Sequence, residues 1–172
     1  SAPGKCILFG EHAVVYGEPA VAVAIDARVS VSLEPCQGSW KLGGAPLDER
    51  HPHARFLHSQ LVGDDSEPHS LIVNSELFPA AGLGSSAALS AAISAALMHR
   101  EDNGDGGLDL ERISHLAHNA EAEAQSGRAS PTDTSTATLG GCVLVSDRRE
   151  ESAEWCWTRT LDTPEGERRW EI

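Results

Sequence analysis

Residues 79–88 read PAAGLGSSAA and run directly into residues 85–98, SSAALSAAISAALM, which predict the most regular helix of the chain. Alanine is the strongest helix former, whereas the proline and glycines just before the helix exclude regular structure. Glycines let a backbone approach a ligand closely, and the free N–H groups at a helix start favour anions. We therefore interpret this stretch as a phosphate-binding turn. The alternative is a plain glycine-rich turn in which Ser85 or Ser86 only caps the helix.

Hydrophobic periodicity on either side of this turn predicts a mixed order of strands and helices. Strands are predicted over residues 1–7, 21–25, 28–33, 39–42, 70–76, 141–146 and 155–161, with a β-leaning end over residues 168–172. Helices are predicted over residues 51–62, 85–98 and 108–125, and no element is assigned to residues 126–140. This order predicts an α+β fold, a two-layer domain of sheet and helices.

The composition fits one globular domain, since the 172 residues are 40% hydrophobic and 23% charged. The net charge of -13 would repel a phosphate backbone or an anionic membrane, so we expect neither nucleic acid nor membrane as a partner. No window approaches the ~18 consecutive apolar residues of a membrane span. The first residues also lack the basic flank and apolar run of a signal peptide, which predicts a cytoplasmic protein. The four cysteines are widely spaced and are interpreted as reduced thiols.

A single carboxylate, Asp133, lies among hydroxyls and small residues in residues 130–141, SPTDTSTATLGG. With no cation near it in the sequence, such a side chain is suited to accepting a proton or a metal. An aspartate that follows Pro-Thr is also a common helix N-cap or turn residue. A catalytic role and a structural role therefore both stay open.

Glu121 and Glu123 are predicted to lie on different faces of the same helix, and this difference distinguishes their roles. At about 100° per residue, Glu121 falls within about 20° of Leu110 and about 40° of Ala117 on the apolar stripe, whereas Glu123 points away from it. A carboxylate on a buried stripe needs a cation, a metal or hydrogen-bond donors, so Glu121 is the functional candidate. The alternative is that the stripe reaches the surface near the helix end and that Glu121 is solvated.

The polar residues near the start of the chain lie on glycine-bounded turns. In residues 2–25, APGKCILFGEHAVVYGEPAVAVAI, Lys5 follows a Pro-Gly turn, and Glu11 and His12 lie in a turn between glycines. Polar residues on such turns suggest the rim of a site. Three histidines of the predicted helix over 51–62 form only a weak candidate metal cluster, and we interpret them as solvated: His51, His53 and His58.

Taken together and in this order, three segments resemble the GHMP kinases, the superfamily named for galactokinase, homoserine kinase, mevalonate kinase and phosphomevalonate kinase. Residues 2–25 resemble its first motif in the mevalonate kinase form, and residues 79–88 resemble its second motif. Residues 121–141, EAEAQSGRASPTDTSTATLGG, resemble the stretch that carries a metal-binding glutamate and a catalytic aspartate, in a form similar to archaeal mevalonate kinases. The resemblance covers residues 2–146 and implies a two-layer α+β domain with a ribosomal-protein-like left-handed βαβ unit.

The resemblance implies ATP-dependent phosphorylation of (R)-mevalonate to 5-phosphomevalonate in isoprenoid biosynthesis, with Mg²⁺ as cofactor. It implies that Asp133 is the base or charge partner of the 5-hydroxyl and that Lys5 stabilises the developing anion. Glu11 and His12 match positions that bind substrate. The implied metal ligands are Glu121, Ser85 and Ser86, with the two serines unranked. The implied nucleotide-binding residues are Pro79, Ala81, Gly82, Leu83, Gly84, Ser85, Ser86 and Ala87.

Two departures from the family pattern leave alternatives open. The spacing from Glu121 to Asp133 is one residue longer than in the GHMP kinases that this stretch resembles, and Ser126 is interpreted as the inserted residue. If the segment is aligned without this insertion, Glu123 takes the metal-ligand position in place of Glu121. The family's third motif is absent, so we expect residues 1–172 to form the N-terminal domain without a C-terminal domain. The chain alone would then be poorly active, and a homodimer is compatible with it. The alternatives are a sibling kinase acting on phosphomevalonate or another hydroxyl of mevalonate, or a non-catalytic nucleotide-binding fragment.

Overall fold

The computed structural model of the protein describes residues 1–12, 18–63, 66–78, 81–101, 107–127 and 129–146, and the backbone of 157–161. The described strands are β1 (Ala2–Phe9), β2 (Ala20–Pro35), β3 (Lys41–Leu42), β4 (Ala45–Pro46), β5 (His69–Ser75), β6 (Cys142–Ser146) and β7 (Trp157–Leu161). The helices of these same ranges are α1 (Pro52–Leu61), α2 (Ser85–Glu101), α3 (Leu110–Ala124) and α4 (Pro131–Leu139). The predicted α+β class is confirmed.

Strand β2 organises the sheet because it pairs antiparallel with three other strands. Its first residues pair with β6, its middle with β1, and its last residues with β5. Two strands were predicted here, and the structure joins them into one of 16 residues. In the described part of the chain the sheet runs in the order β4-β3-β5-β2-β6-β7, with β1 on β2 outside this path.

Helix α2 packs against the other three helices and against β1 and β2. Its small side chains explain how so many neighbours approach it, since Ala88, Ala91 and Ala92 are all buried. Larger side chains such as Leu57, Leu71, Ile93 and Leu97 fill the remaining core. Burying each of these contributes about 1.5–3 kcal/mol. The core therefore holds α2, and with it the glycine-rich turn at its start, against the sheet.

The sequence prediction missed helix α4. Its four threonines argue against a helix by propensity alone, although proline is well suited to the first helical position. The structure buries Thr132, Thr134 and Thr136, and the Thr136 hydroxyl donates to the Thr132 carbonyl at 2.7 Å, one turn back. Burial of these side chains outweighs the weak helix propensity of threonine, and the hydrogen bond satisfies the buried Thr136 hydroxyl.

The short strands and the cysteines agree with the sequence predictions in part. The short strand β4 was not predicted, whereas the strand predicted over 155–161 is present as β7. The β-leaning end over 168–172 lies outside the described residues. Cys6, Cys36 and Cys142 are free thiols, as expected, and Cys156 is not among the described residues. No helix within the described ranges is long and apolar enough to cross a membrane.

Candidate active site

The centre of the site is an ion pair between Lys5 and Asp133. Lys5 lies on β1 and Asp133 is the third residue of α4, and the Lys5 Nζ is 3.2 Å from the Asp133 Oδ1. Lys5 is only 6% exposed, so the cation depends on this partner. Burial raises the pKa of Asp133 above its ordinary value, and the Lys5 ammonium offsets part of that rise. Asp133 is not the N-cap residue, because Ser130 holds that position.

The glycine-rich turn lies directly against the side chain of Lys5. The Lys5 N–H donates to the Leu83 carbonyl at 2.9 Å, which joins β1 to the turn. Gly82 and Gly84 both have positive φ angles, of 73° and 69°. A Cβ atom at Gly84 would lie 3.0 Å from the Lys5 Cγ. Glycine at this position therefore provides both the backbone angle and the space that the lysine needs.

The structure also answers which residue caps α2. The Ala88 N–H donates to the Gly84 carbonyl at 2.9 Å, and this first helical hydrogen bond makes Gly84 the N-cap residue. The alternative in which Ser85 or Ser86 caps the helix is therefore wrong. Of the other predicted nucleotide-binding residues, Ala81 is exposed, Leu83 is half-buried and Ala87 is buried, while Pro79 lies outside the described residues.

Glu121 is buried on α3, as its helix face predicted, with 4% of its surface exposed. Its Oε2 accepts hydrogen bonds from the Ser86 hydroxyl at 2.9 Å and from the Gln125 amide at 2.8 Å. Its Oε1 accepts one from the Ser90 hydroxyl at 3.0 Å and lies 3.2 Å from the His53 Nε2. Burial would raise the pKa of Glu121, but the contacts with His53, Ser86 and Ser90 outweigh it, so the pKa lies below its ordinary value.

Glu121 and Ser86 present the oxygen atoms that Mg²⁺ prefers in proteins. The structure brings Ser86, rather than Ser85, into contact with Glu121, while Glu123 is exposed on the same helix. In the described part of the chain no group of three or more His, Cys, Asp or Glu residues could hold a metal. This donor set fits Mg²⁺, which commonly uses one or two carboxylates together with phosphate oxygens and water.

The buried carboxylate of Glu121 and the half-buried carboxylate of Asp133 belong to one site. The Glu121 charge raises the pKa of Asp133, as a smaller contribution than burial and Lys5. An apolar cavity of about 380 Å³ opens beside the turn, and its lining includes Ser85, Ser86 and Leu89. The site therefore combines a cation, two carboxylates, a glycine-rich helix start and an apolar cavity.

Glu11 and His12 lie in an exposed turn just after β1. Among the described residues, no hydrogen bond or ion pair joins either side chain to Lys5 or Asp133. Residues 13–17, which continue this turn in the sequence, lie outside the described residues. The substrate-binding role of Glu11 and His12 stays a prediction.

Sequence reasoning missed three partners of Glu121, and for two of them a signal was present. Ser90 follows Ser86 by one helical turn, and Gln125 follows Glu121 by one turn, so each pair shares a helix face. The third partner, His53, was interpreted as solvated, which is wrong because the first turn of α1 packs against α3 and half-buries it. No local pattern connects His53 with Glu121, since the contact depends on how two helices pack.

The sequence profile described as the GHMP kinases N terminal domain matches residues 53–141, just over half of the chain. The fold, the glycine-rich helix start and the profile agree, and the chain belongs to the GHMP kinase family. Among similar curated proteins is the mevalonate kinase of Methanothermobacter thermautotrophicus, 40% identical over 159 residues, with 87% of this chain and 50% of that protein covered. The mevalonate kinase of Archaeoglobus fulgidus is 41% identical over 155 residues, with 87% of this chain and 53% of that protein covered.

A solved structure of the L. major mevalonate kinase in complex with R-mevalonate has the same fold. It superposes with a TM-score of 0.75 at 25% sequence identity, covering 92% of this chain and 50% of that chain. The chain thus spans about half the length of the relatives that it matches.

Proposed function

We propose that this chain is the N-terminal domain of a kinase that transfers the γ-phosphoryl group of ATP to the 5-hydroxyl of (R)-mevalonate. The observation that carries the proposal is the ion pair between the buried Lys5 and the half-buried Asp133, which lies against the glycine-rich turn. Phosphoryl transfer requires phosphate binding, charge neutralisation and a group that orients the attacking hydroxyl. Each of these tasks has a candidate residue in the site.

The glycine-rich turn and the start of α2 bind the phosphates of ATP in this proposal. The first N–H groups of a helix have no partner within the helix, and the helix dipole favours negative charge there. Gly82 and Gly84 carry no side chain that would block a phosphate. The apolar cavity beside Ser85 and Ser86 is wide enough to receive part of the nucleotide, such as its base.

Asp133 accepts the proton of the attacking hydroxyl, and Lys5 stabilises the charge that develops on its oxygen. An alcohol has a pKa far above 7, so an ordinary aspartate is a weak base for it. The raised pKa of Asp133 makes its carboxylate more basic, and the nearby ammonium lowers the energy of the alkoxide. The pair accordingly supplies both the base that accepts the proton and the cation that stabilises the resulting alkoxide.

Glu121 and Ser86 are the residues that would hold Mg²⁺. When bound, the ion neutralises charge on the nucleotide phosphates and so assists transfer. The lowered pKa of Glu121 keeps its carboxylate ionised at neutral pH, as a metal ligand requires.

The choice of mevalonate as the acceptor rests on sequence similarity to mevalonate kinases at 40% and 41% identity. Glu11 and His12 are proposed to contact the substrate, and the reaction is proposed to take place in the cytoplasm. For a second GHMP activity, the phosphorylation of phosphomevalonate, the similar structure is a phosphomevalonate kinase at 16% identity, and this likeness concerns the fold alone.

The proposal is tested by following ADP release from the protein that contains this chain, with mevalonate, phosphomevalonate, galactose and homoserine as separate acceptors. We expect mevalonate to be turned over in preference to the other three. Faster turnover of any of these would overturn the assignment, and nucleotide binding without turnover of any acceptor would favour a non-catalytic domain. Glu123→Gln, a change at an exposed residue, is a control that should leave turnover unchanged.

A further inference from the structure

His53 reaches the site from an element that the proposed mechanism does not otherwise use. It is the second residue of α1, and its Nε2 lies 3.2 Å from the Oε1 of Glu121. The imidazole side chain is 23% exposed, whereas the side chain of Glu121 is only 5% exposed. The histidine therefore closes the outer side of a carboxylate that is otherwise enclosed by α2 and α3.

The contacts of Glu121 divide between its two oxygens in a way that suggests different tasks. Oε2 is bound by Ser86, which adjoins the glycine-rich turn, and by Gln125. Oε1 is bound by Ser90, which is buried in the helix interface, and is contacted by His53. A serine hydroxyl can rotate away from an acceptor, so Ser86 can release a lone pair of Oε2. His53 and Ser90 would still hold Oε1.

We propose that His53 is a positioning residue, which holds the Glu121 carboxylate in the orientation needed for the metal–nucleotide complex. This inference rests on the proposed function, because it assumes that Glu121 is the metal ligand. Groups that orient a metal ligand commonly change metal affinity or activity by about 10–100-fold when they are removed. His53 is therefore expected to control metal affinity more than it controls the stability of the fold.

Two substitutions of similar polarity separate positioning from packing. The amide nitrogen of glutamine is placed where the Nε2 of histidine lies, whereas that of asparagine is placed where Nδ1 lies. His53→Gln should therefore keep the contact with Oε1, and His53→Asn should lose it. His58→Gln is a matched control on the same helix, since the His58 ring packs against Trp40, with 4.9 Å between ring centroids.

The experiment measures the affinity of each protein for Mn²⁺ in the presence of ADP by electron paramagnetic resonance, and the thermal midpoint Tm of each protein. We expect His53→Asn to bind Mn²⁺ at least about 10-fold more weakly. His53→Gln and His58→Gln should remain within about 3-fold of the unsubstituted protein, a small change beside the 10–100-fold expected for an orienting contact. Recovery of affinity by glutamine but not asparagine is a result that a purely structural role would not produce.

Three results would overturn the positioning role while leaving the proposed function in place. They are unchanged Mn²⁺ affinity in His53→Asn, equal weakening by both His53 variants, and failure of His53→Asn to fold, which would assign His53 to the fold instead. Failure of the unsubstituted protein to bind Mn²⁺ with ADP would overturn the proposed function and this inference with it.

Discussion

At the scale of single residues, the site contains two carboxylates, Glu121 and Asp133, whose pKa values shift in opposite directions. The pKa of Asp133 is raised because burial outweighs the effect of the Lys5 ammonium. The pKa of Glu121 is lowered because the contacts with His53, Ser86 and Ser90 outweigh the effect of burial. Environments that separate the pKa values of two acids commonly separate their tasks. Asp133 is suited to accepting a proton, and Glu121 is suited to remaining ionised.

Replacing Asp133 by asparagine removes the proposed proton acceptor with almost no change of shape. We expect turnover to fall by about 10²–10⁴, the usual contribution of general-base catalysis. Affinity for ATP should change little, because the role proposed for Asp133 concerns the acceptor hydroxyl and not the nucleotide. Steady-state turnover and ATP titration check this prediction. Retention of full turnover by Asp133→Asn would assign the residue to the structure of α4 alone.

The lowered pKa of Glu121 predicts how the stability of the fold depends on pH. A carboxyl whose pKa is lower in the folded state contributes stability above its unfolded value, here 4.5, and loses it as pH falls through the folded value. At pH 7 Glu121→Gln should therefore unfold at a lower urea concentration than the unsubstituted protein. The difference between the two midpoints should shrink below pH 4.5, because a protonated glutamate resembles glutamine.

Glu123→Gln is the control for this comparison, since Glu123 is exposed two residues further along α3. Its urea midpoint should follow that of the unsubstituted protein across the same pH range. A constant difference between Glu121→Gln and the unsubstituted protein at all pH values would show that Glu121 does not hold a lowered pKa.

At the scale of elements, local patterns predicted most of the fold. The apolar stripe of α3 placed Glu121 inside and Glu123 outside, because helical geometry fixes which residues share a face. Helix α4 was missed because burial against neighbouring elements overrode the low helix propensity of threonine. The contact of His53 with Glu121 had no local signal either, since it arises from the packing of α1 on α3. Lys5 and Asp133 were paired through the family resemblance and not through any pattern of residues.

The glycine-rich turn gives a prediction with a matched control inside the same element. Gly84→Ala and Gly82→Ala both place a side chain at positive φ, which costs about 1–2 kcal/mol. Only at Gly84 does the new Cβ also meet Lys5, at 3.0 Å from its Cγ, whereas nothing lies within 4 Å at Gly82. We expect Gly84→Ala to weaken ADP binding and lower Tm more than Gly82→Ala does. Calorimetric titration and thermal unfolding measure both, and equal effects would show that the turn and Lys5 are not coupled.

At the scale of the whole molecule, the net charge of -13 makes self-repulsion part of the stability balance. The Debye length shortens from ~30 Å at 0.01 M salt to ~10 Å at 0.1 M, which screens this repulsion. We expect Tm to rise over this range. A gain of about 1 kcal/mol corresponds to about 2–4 °C for a chain of this size.

The same salt series near the isoelectric point is the control, because the net charge there is close to zero. Tm should then depend little on salt. A Tm that is independent of salt at pH 7 would show that paired charges already cancel the repulsion.

The measurement that tests the proposed function most directly identifies the phosphorylated product itself. The protein that contains this chain is incubated with ATP, Mg²⁺ and (R)-mevalonate, and the products are resolved by ³¹P nuclear magnetic resonance and mass spectrometry. We predict one mole of 5-phosphomevalonate for each mole of ADP. ADP accompanied only by inorganic phosphate, or a phosphoryl group on the other hydroxyl of mevalonate, would contradict the assignment of Lys5 and Asp133 to transfer onto the 5-hydroxyl.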